Sequence, residues 1–202
     1  MMLESGANIT KQIFYLMKKN KKIFFLTVGR SDFLRQKSIF DNITKEKNID
    51  SGLIITGSHH LGEFGKTIKE IKLSKIKYYD CSIKNYSFNS AEITNNLNKI
   101  TKKIHNLIKK KKPDIFVIFG DRYEMLAGAL ACFGKKILIV HIHGGSITKG
   151  SFDDTVRHTL TKLSHFHFTP INEYAERIRQ LGEEKFRIKV VGAPGLDNLK
   201  KY

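Results

Sequence analysis

From Lys22 onward the chain alternates short apolar runs with longer amphipathic stretches. A parallel sheet buried beneath crossover helices reads this way, because strands covered on both faces become near-continuous apolar segments. Seven candidate strands fall at 23–28, 53–56, 76–80, 115–119, 137–141, 166–169 and 187–191, most of them β-branched or aromatic. Between them, 33–47, 63–71, 91–111, 122–133, 153–164 and 173–181 carry helical apolar spacing. In 91–111, Ile93, Leu97, Ile100, Ile104, Leu107 and Ile108 share one face. The expected fold is α/β: a Rossmann-like parallel sheet of about seven strands with helices on both faces.

A chain of 202 residues, 41% hydrophobic, supports one sizeable core rather than two full domains. Residues 1–21 read as an N-terminal extension, helical or disordered, and 22–198 as the domain. The extension is a poor signal peptide: it carries Glu4, only a short apolar patch at 13–17, and no small-residue cleavage pattern. No apolar run reaches transmembrane length, so no membrane partner is expected. Cys81 and Cys132 lie far apart and offer neither a disulfide framework nor a CxxC metal site, which suits a reducing cytoplasm.

The formal charge of +17 raises nucleic acid as a partner. Yet the cations are 29 Lys against 7 Arg, scattered over candidate helix faces in a chain rich in Ile and Asn, without interleaved aromatics that would stack bases. Nucleic acid is therefore not the expected ligand.

In open α/β sheets ligands sit beyond the carboxyl ends of the strands, and there the polar residues concentrate. After the first strand, Gly29 permits a tight turn, Arg30 offers a planar fork for phosphate, and Ser31 or Asp32 can cap the next helix. The second strand ends in Thr56-Gly57-Ser58-His59-His60. The fourth runs into Gly120-Asp121-Arg122-Tyr123-Glu124, where Asp121 and Glu124 have the spacing of a capping box. A carboxylate there, beside an arginine, equally suits an acid or base. The fifth leads to His141-Ile142-His143-Gly144-Gly145-Ser146. On the short helix that follows, Asp154, Arg157 and His158 share a side, and Asp153 and Arg157 are spaced to pair at i,i+4. His141 with His143, and His165 with His167, have the spacing of a metal hydrolase, which Asp121 or Asp153 could complete, but no HExxH signature accompanies them.

Five ordered segments, TVGRSDF at 27–33, TGSH with EFGKT at 56–67, GDRYEMLA at 120–127, HIHGGS at 141–146 and DDTVRHTLTKLSHFHF at 153–168, resemble the UDP-N-acetylglucosamine 2-epimerases. The wording is most similar to the hydrolysing branch of sialic and legionaminic acid biosynthesis, and the resemblance spans about 22–198. It implies the N-terminal half of a GT-B fold, with the C-terminal domain absent. It also implies that UDP is eliminated from a UDP-N-acetylhexosamine and water is added with inverted C2. By this resemblance Asp121, then Asp153, carry the acid/base chemistry. His143, where several relatives carry Glu, lines the sugar, and Arg30, His59, Glu124, Arg157 and His158 contact substrate. No cofactor or metal is implied.

Two departures follow from the same comparison. Ser146 stands where the family usually has Glu, and the second domain would have to come from a partner chain, a homodimer being the commoner assembly of relatives. A non-catalytic sugar-nucleotide binding remnant is the competing expectation. The sugar stays open between UDP-N-acetylglucosamine and a UDP-diacetamido-trideoxyhexose, the GRSDF wording leaning towards the latter.

Overall fold

A computed structural model describes residues 5–15, 21–74 and 76–197. Residues 1–4 and 16–20 of the expected extension, and the expected domain end at Asn198, lie outside the described residues.

Among the described residues, seven parallel strands form one sheet: β1 (Lys21–Thr27), β2 (Ile49–Ile55), β3 (Tyr78–Asp80), β4 (Ile115–Phe119), β5 (Leu138–Ile142), β6 (Phe166–Thr169) and β7 (Ile188–Val190), in the order β3-β2-β1-β4-β5-β6-β7. The doubly wound sheet is thus as expected, and each predicted strand falls on an observed one. The helices are α1 (Ser5–Tyr15), α2 (Arg30–Ile43), α3 (Ile68–Leu73), α4 (Ile93–Lys111), α5 (Tyr123–Cys132), α6 (Asp153–Leu163) and α7 (Asn172–Gln180).

Apolar content explains which strands lie at the centre. Every residue of β4 is buried, as are Ile23 to Thr27 in β1, and these two strands pair Ile23 with Ile115 and Phe25 with Val117. The sheet is read outward in both directions from this pair. Because crossovers between parallel strands are right-handed, reversing the direction of travel moves the helices to the other face. The packing agrees: α4, α5 and α6 lie side by side, while α2 packs against α1.

Helix α4 shows the local logic. Ile100, Ile104 and Ile108 are fully buried, with Ile93, Leu97 and Leu107 against the same core, and the lysines face outward. Helix α1 is held at both ends of its apolar face. Ile9 and Ile13 are fully buried, and the Ser5 and Gly6 amides donate to the Asp197 carboxylate at 2.9 and 2.6 Å. That carboxylate meets the positive end of the helix dipole.

The expected helix at 63–71 is broken in two. A 3-10 turn, Gly62–Phe64, ends at Gly65 in the left-handed region (φ 78°), and α3 starts only at Ile68. Glycine is required at position 57, where φ is 64° and a β-carbon would collide with the Val28 carbonyl. The tight turn lets the Ser58 amide donate to that carbonyl at 2.8 Å, drawing the loop after β2 over the end of β1.

Candidate functional site

Beyond β4 the chain turns through Gly120 (φ 75°) into Asp121 and Arg122. The turn is fixed from below by His141 on β5, whose Nε2 donates to the Gly120 carbonyl at 2.7 Å. Burial holds that imidazole neutral, with its pKa pushed down to about 3.

The expected capping box does not form. Arg122 occupies the N-cap of α5 without a side-chain cap bond. Asp121 instead accepts from the Arg157 guanidinium, and Glu124 accepts from Arg122 Nη2 at 3.1 Å and from the Tyr86 hydroxyl. The reason is electrostatic: charge-assisted bonds to guanidinium are stronger than a cap to a neutral amide.

Arg157 is 1% exposed. Its Nη1 donates to the Ser146 carbonyl at 3.0 Å and to Asp154, and its Nη2 donates to Thr148 Oγ1 at 2.9 Å as well as to Asp121. Asp154 also accepts the Thr148 amide at 2.8 Å. One guanidinium therefore ties the ends of β4 and β5 to the start of α6. The pair expected between Asp153 and Arg157 is replaced by Asp154, one residue further along the first turn. Asp153 stays on the wall of a cavity of about 310 Å³ that it shares with Asp121, Arg122, Glu124 and the aromatic residues Phe88, Tyr123 and Phe152.

The structure thus brings Asp121, Asp153 and Glu124 onto one cavity from two different elements, with Arg157 buried beside it. Larger hollows of about 520 and 550 Å³ lie against lysine-rich surfaces, one around Lys109, Lys112 and Lys135, the other around Lys99, Lys102 and Lys103. The smaller cavity is the better site because it alone of these gathers carboxylates at a strand's carboxyl end.

The other expected residues stand apart from its wall. Arg30 opens α2 and pairs with Glu70 at 3.2 Å. His59 is fully buried between Thr27 and Thr67, at 3.0 and 2.7 Å, and burial lowers its pKa to about 4. His143 has φ 69° and its ring lies against Phe119 and Tyr174 at 5.6 and 6.3 Å between centroids. Burial, then Arg35, lowers its pKa. His158 is half-buried, with Nδ1 lacking a partner among the described residues. Gly145 permits the turn after β5, since its φ of 82° and the nearby Tyr174 carbonyl exclude a β-carbon.

Tyr86 and Tyr123 escaped the sequence reading. Asn96 donates to the Tyr123 hydroxyl at 3.0 Å, which donates to Tyr86 at 3.1 Å, completing a buried chain to Glu124. No local pattern joins residues 38 positions apart, as Tyr86 and Glu124 are. The histidine pairs do not assemble a metal set: His165 accepts the Ile139 amide at 3.0 Å, and His167 faces Glu183 at 3.4 Å. Among the described residues no three His, Cys, Asp or Glu side chains are placed to hold an ion, and no helix is long and apolar enough to cross a membrane.

Residues 41–202 match the family described as UDP-N-acetylglucosamine 2-epimerase. The chain belongs to this epimerase family. It is 32% identical over 90% of its length to a hydrolyzing UDP-N,N'-diacetylbacillosamine 2-epimerase of Legionella pneumophila, covering 48% of that protein. It is likewise 32% identical over 88% of its length to a UDP-N-acetylglucosamine 2-epimerase of Neisseria meningitidis, covering 46% of it. Among solved structures, a Methanocaldococcus jannaschii epimerase in complex with UDP-GlcNAc and UDP superposes with a TM-score of 0.75 at 26% identity, over 89% of this chain and 50% of the other. The chain spans about half the length of the curated relatives it matches.

Removing one partner from a buried ion pair costs about 3–5 kcal/mol. Arg157→Ala takes the guanidinium from Asp121, Asp154 and the Ser146 carbonyl and, because both carboxylates keep some exposure, is expected to lose stability at the low end of that range, about 3 kcal/mol, in urea denaturation. A loss below about 1 kcal/mol would mean the hub does not hold these elements.

A second expectation concerns pH. His59, His141 and His167 have folded pKa values lowered to about 4, 3 and 4, so below about 6.5 the unfolded chain takes up protons that the folded chain refuses. Asp32, raised to about 7, opposes one of these three. The net is proton uptake by the unfolded chain, so stability falls by at least about 1.4 kcal/mol, one proton's worth, as pH falls from 6 to 5. Urea midpoints at the two pH values check this, and equal midpoints would refute it.

Proposed function

We propose that this chain carries the acid/base half of a hydrolysing UDP-N-acetylhexosamine 2-epimerase. The observation that carries the reading is the convergence of Asp121 and Asp153, from the end of β4 and the start of α6, on one cavity. The names of two relatives include the word hydrolyzing and support the reaction class.

In this reading one of the two carboxylates takes the C2 proton, and the C2–H electrons form the C1–C2 double bond. The C1–O bond breaks, with UDP leaving on its electron pair. Water then adds across the double bond, hydroxyl to C1 and hydrogen to C2 from the opposite side, giving the free 2-epimer. The C2 proton is not adjacent to a carbonyl, so its loss depends on stabilising the departing diphosphate, a role for cationic groups, Arg122 on the cavity wall and Arg30 at the start of α2. His143 and His158 are assigned to the sugar in this reading. No cofactor enters this scheme.

The chain spans about half of its relatives' length, and the facing wall of the cleft is assigned to a second Rossmann-like domain beyond the part spanned here. Exposed Phe88 and Phe152 at the cavity mouth suit such a cover. The cytoplasm, where sugar nucleotides are made, is the proposed compartment.

One observation favours a second reading, sugar-nucleotide binding without turnover. Ser146 contributes its carbonyl to Arg157 and has no carboxylate to offer.

The test is UDP release and free N-acetylmannosamine formation from UDP-N-acetylglucosamine, with the chain alone and mixed with a chain supplying the second domain. Product is expected in the mixture, and Asp121→Asn is expected to lower its rate by at least about 100-fold, the usual worth of a general acid or base. Undiminished activity in that variant would remove Asp121 from the chemistry, and binding without product in either condition would favour the second reading.

A further inference from the structure

Asp32 lies in the first turn of α2, the helix that leaves β1 where the strand order reverses between β1 and β4. Crevices at such reversals are where open parallel sheets take ligands. Its side chain is nearly enclosed, the residue being 5% exposed, and its Oδ2 is shut off from solvent with no hydrogen-bond partner among the described residues. A buried polar oxygen left in this condition is costly unless something arrives to pair with it.

The place of that oxygen identifies the visitor. Oδ2 stands 3.8 Å from where a β-carbon on Gly29 would sit, so it lies beside the N-cap of α2. Gly29 supplies no side-chain cap, and the first-turn amides of a helix have no acceptor within it. Free donors at the positive end of a 14-residue helix favour an anion. A carboxylate here would repel that anion. A carboxylic acid would instead add its O–H to the amide donors.

The charged groups facing Asp32 come from both sides of the reversal. Arg122, Glu124 and Asp121 approach from the turn after β4 and the start of α5, and Arg35 from α2 itself. Burial outweighs them all and lifts the carboxyl to about 7, Arg122 opposing and Glu124 adding to the rise.

We propose that Asp32 is a further binding residue of this cleft, meeting a phosphate oxygen of a nucleoside diphosphate as a neutral hydrogen-bond donor. The proposal rests on the sugar-nucleotide reading above and deepens it by assigning the diphosphate to the α2 N-terminus. Asp32 then differs in kind from Asp121 and Asp153: it holds the ligand and exchanges no proton with the sugar. Because its proton is required, the site takes the diphosphate below neutrality and releases it as pH rises through about 7.

The experiment is calorimetric titration of the 202-residue chain with UDP-N-acetylglucosamine, whose diphosphate diester does not titrate near neutrality, at pH 6 and pH 8. Wild type is expected to bind about tenfold more weakly at pH 8, one unit above the titration point. Asp32→Asn keeps a donor and has no proton to lose, so its affinity should be the same at both values. Asp32→Ala should bind weakly at both. A flat wild-type profile, or an Asn variant with the wild-type slope, overturns the proposal while leaving the sugar-nucleotide reading standing. Sulfate, an oxyanion that does not titrate in this range, supplies the second probe through amide shifts at Gly29 and Ser31. Sulfate binding with the tenfold slope, in a chain that ignores the nucleotide, would support the neutral Asp32 donor and overturn the nucleotide reading. Failure of both probes to bind overturns both.

Discussion

The arrangement of the candidate site depends on one buried cation. Arg157 has almost no contact with water, and a guanidinium in that position must find its hydrogen bonds inside the protein. It finds them in Asp121, Asp154, the Ser146 carbonyl and Thr148, which belong to three separate stretches of chain. The bonds made by its Nη1 and Nη2 therefore set the spacing between the end of β4, the loop after β5 and the first turn of α6. Asp153 owes its place on the cavity to this: Asp154 is drawn down to the arginine, and its neighbour is left facing the space above. Asp121 is drawn into the same place from the opposite direction, away from the helix it would otherwise cap.

The sheet supplies the frame for this interaction. All seven strands run parallel, so all their carboxyl ends open on one edge, and the reversal between β1 and β4 leaves a crevice at its middle. Asp32 stands on one side of that crevice and the Gly120–Arg122 turn on the other. His141, held neutral, braces the Gly120 turn, and His59 joins Thr27 at the end of β1 to Thr67. Their rings are spent on keeping the turns in place, which is why a sequence rich in histidine at strand ends does not produce a metal centre among the described residues.

Much of the frame was legible in the sequence because it is written in short-range periodicity. Each predicted strand lies on an observed one, and β1 and β2 merely begin earlier, at Lys21 and Ile49, where polar residues pair in register on the sheet's amino edge. The helix predicted at 63–71 failed at Gly65 and Lys66, both with positive φ, a backbone requirement that apolar spacing does not reveal. The site was legible as a set of motifs but not as a geometry. The capping spacing of Asp121 and Glu124 was real, yet a partner 36 residues away, Arg157, outcompeted it, and the tyrosine chain from Asn96 through Tyr123 and Tyr86 to Glu124 has no local signature at all. Long-range ionic partners are chosen by the fold, and only after the strands are in place.

The central claim is that the cavity shared by Asp121 and Asp153 receives a sugar nucleotide. Backbone amide shifts of the chain titrated with UDP-N-acetylglucosamine test it most directly. The account predicts saturable shifts concentrated at Gly29, Gly120, Asp121, Tyr123 and Asp153, around the carboxyl ends of β1, β4 and β5. Shifts confined instead to the lysine-lined hollows beside α4, around Lys103 and Lys109, would contradict it.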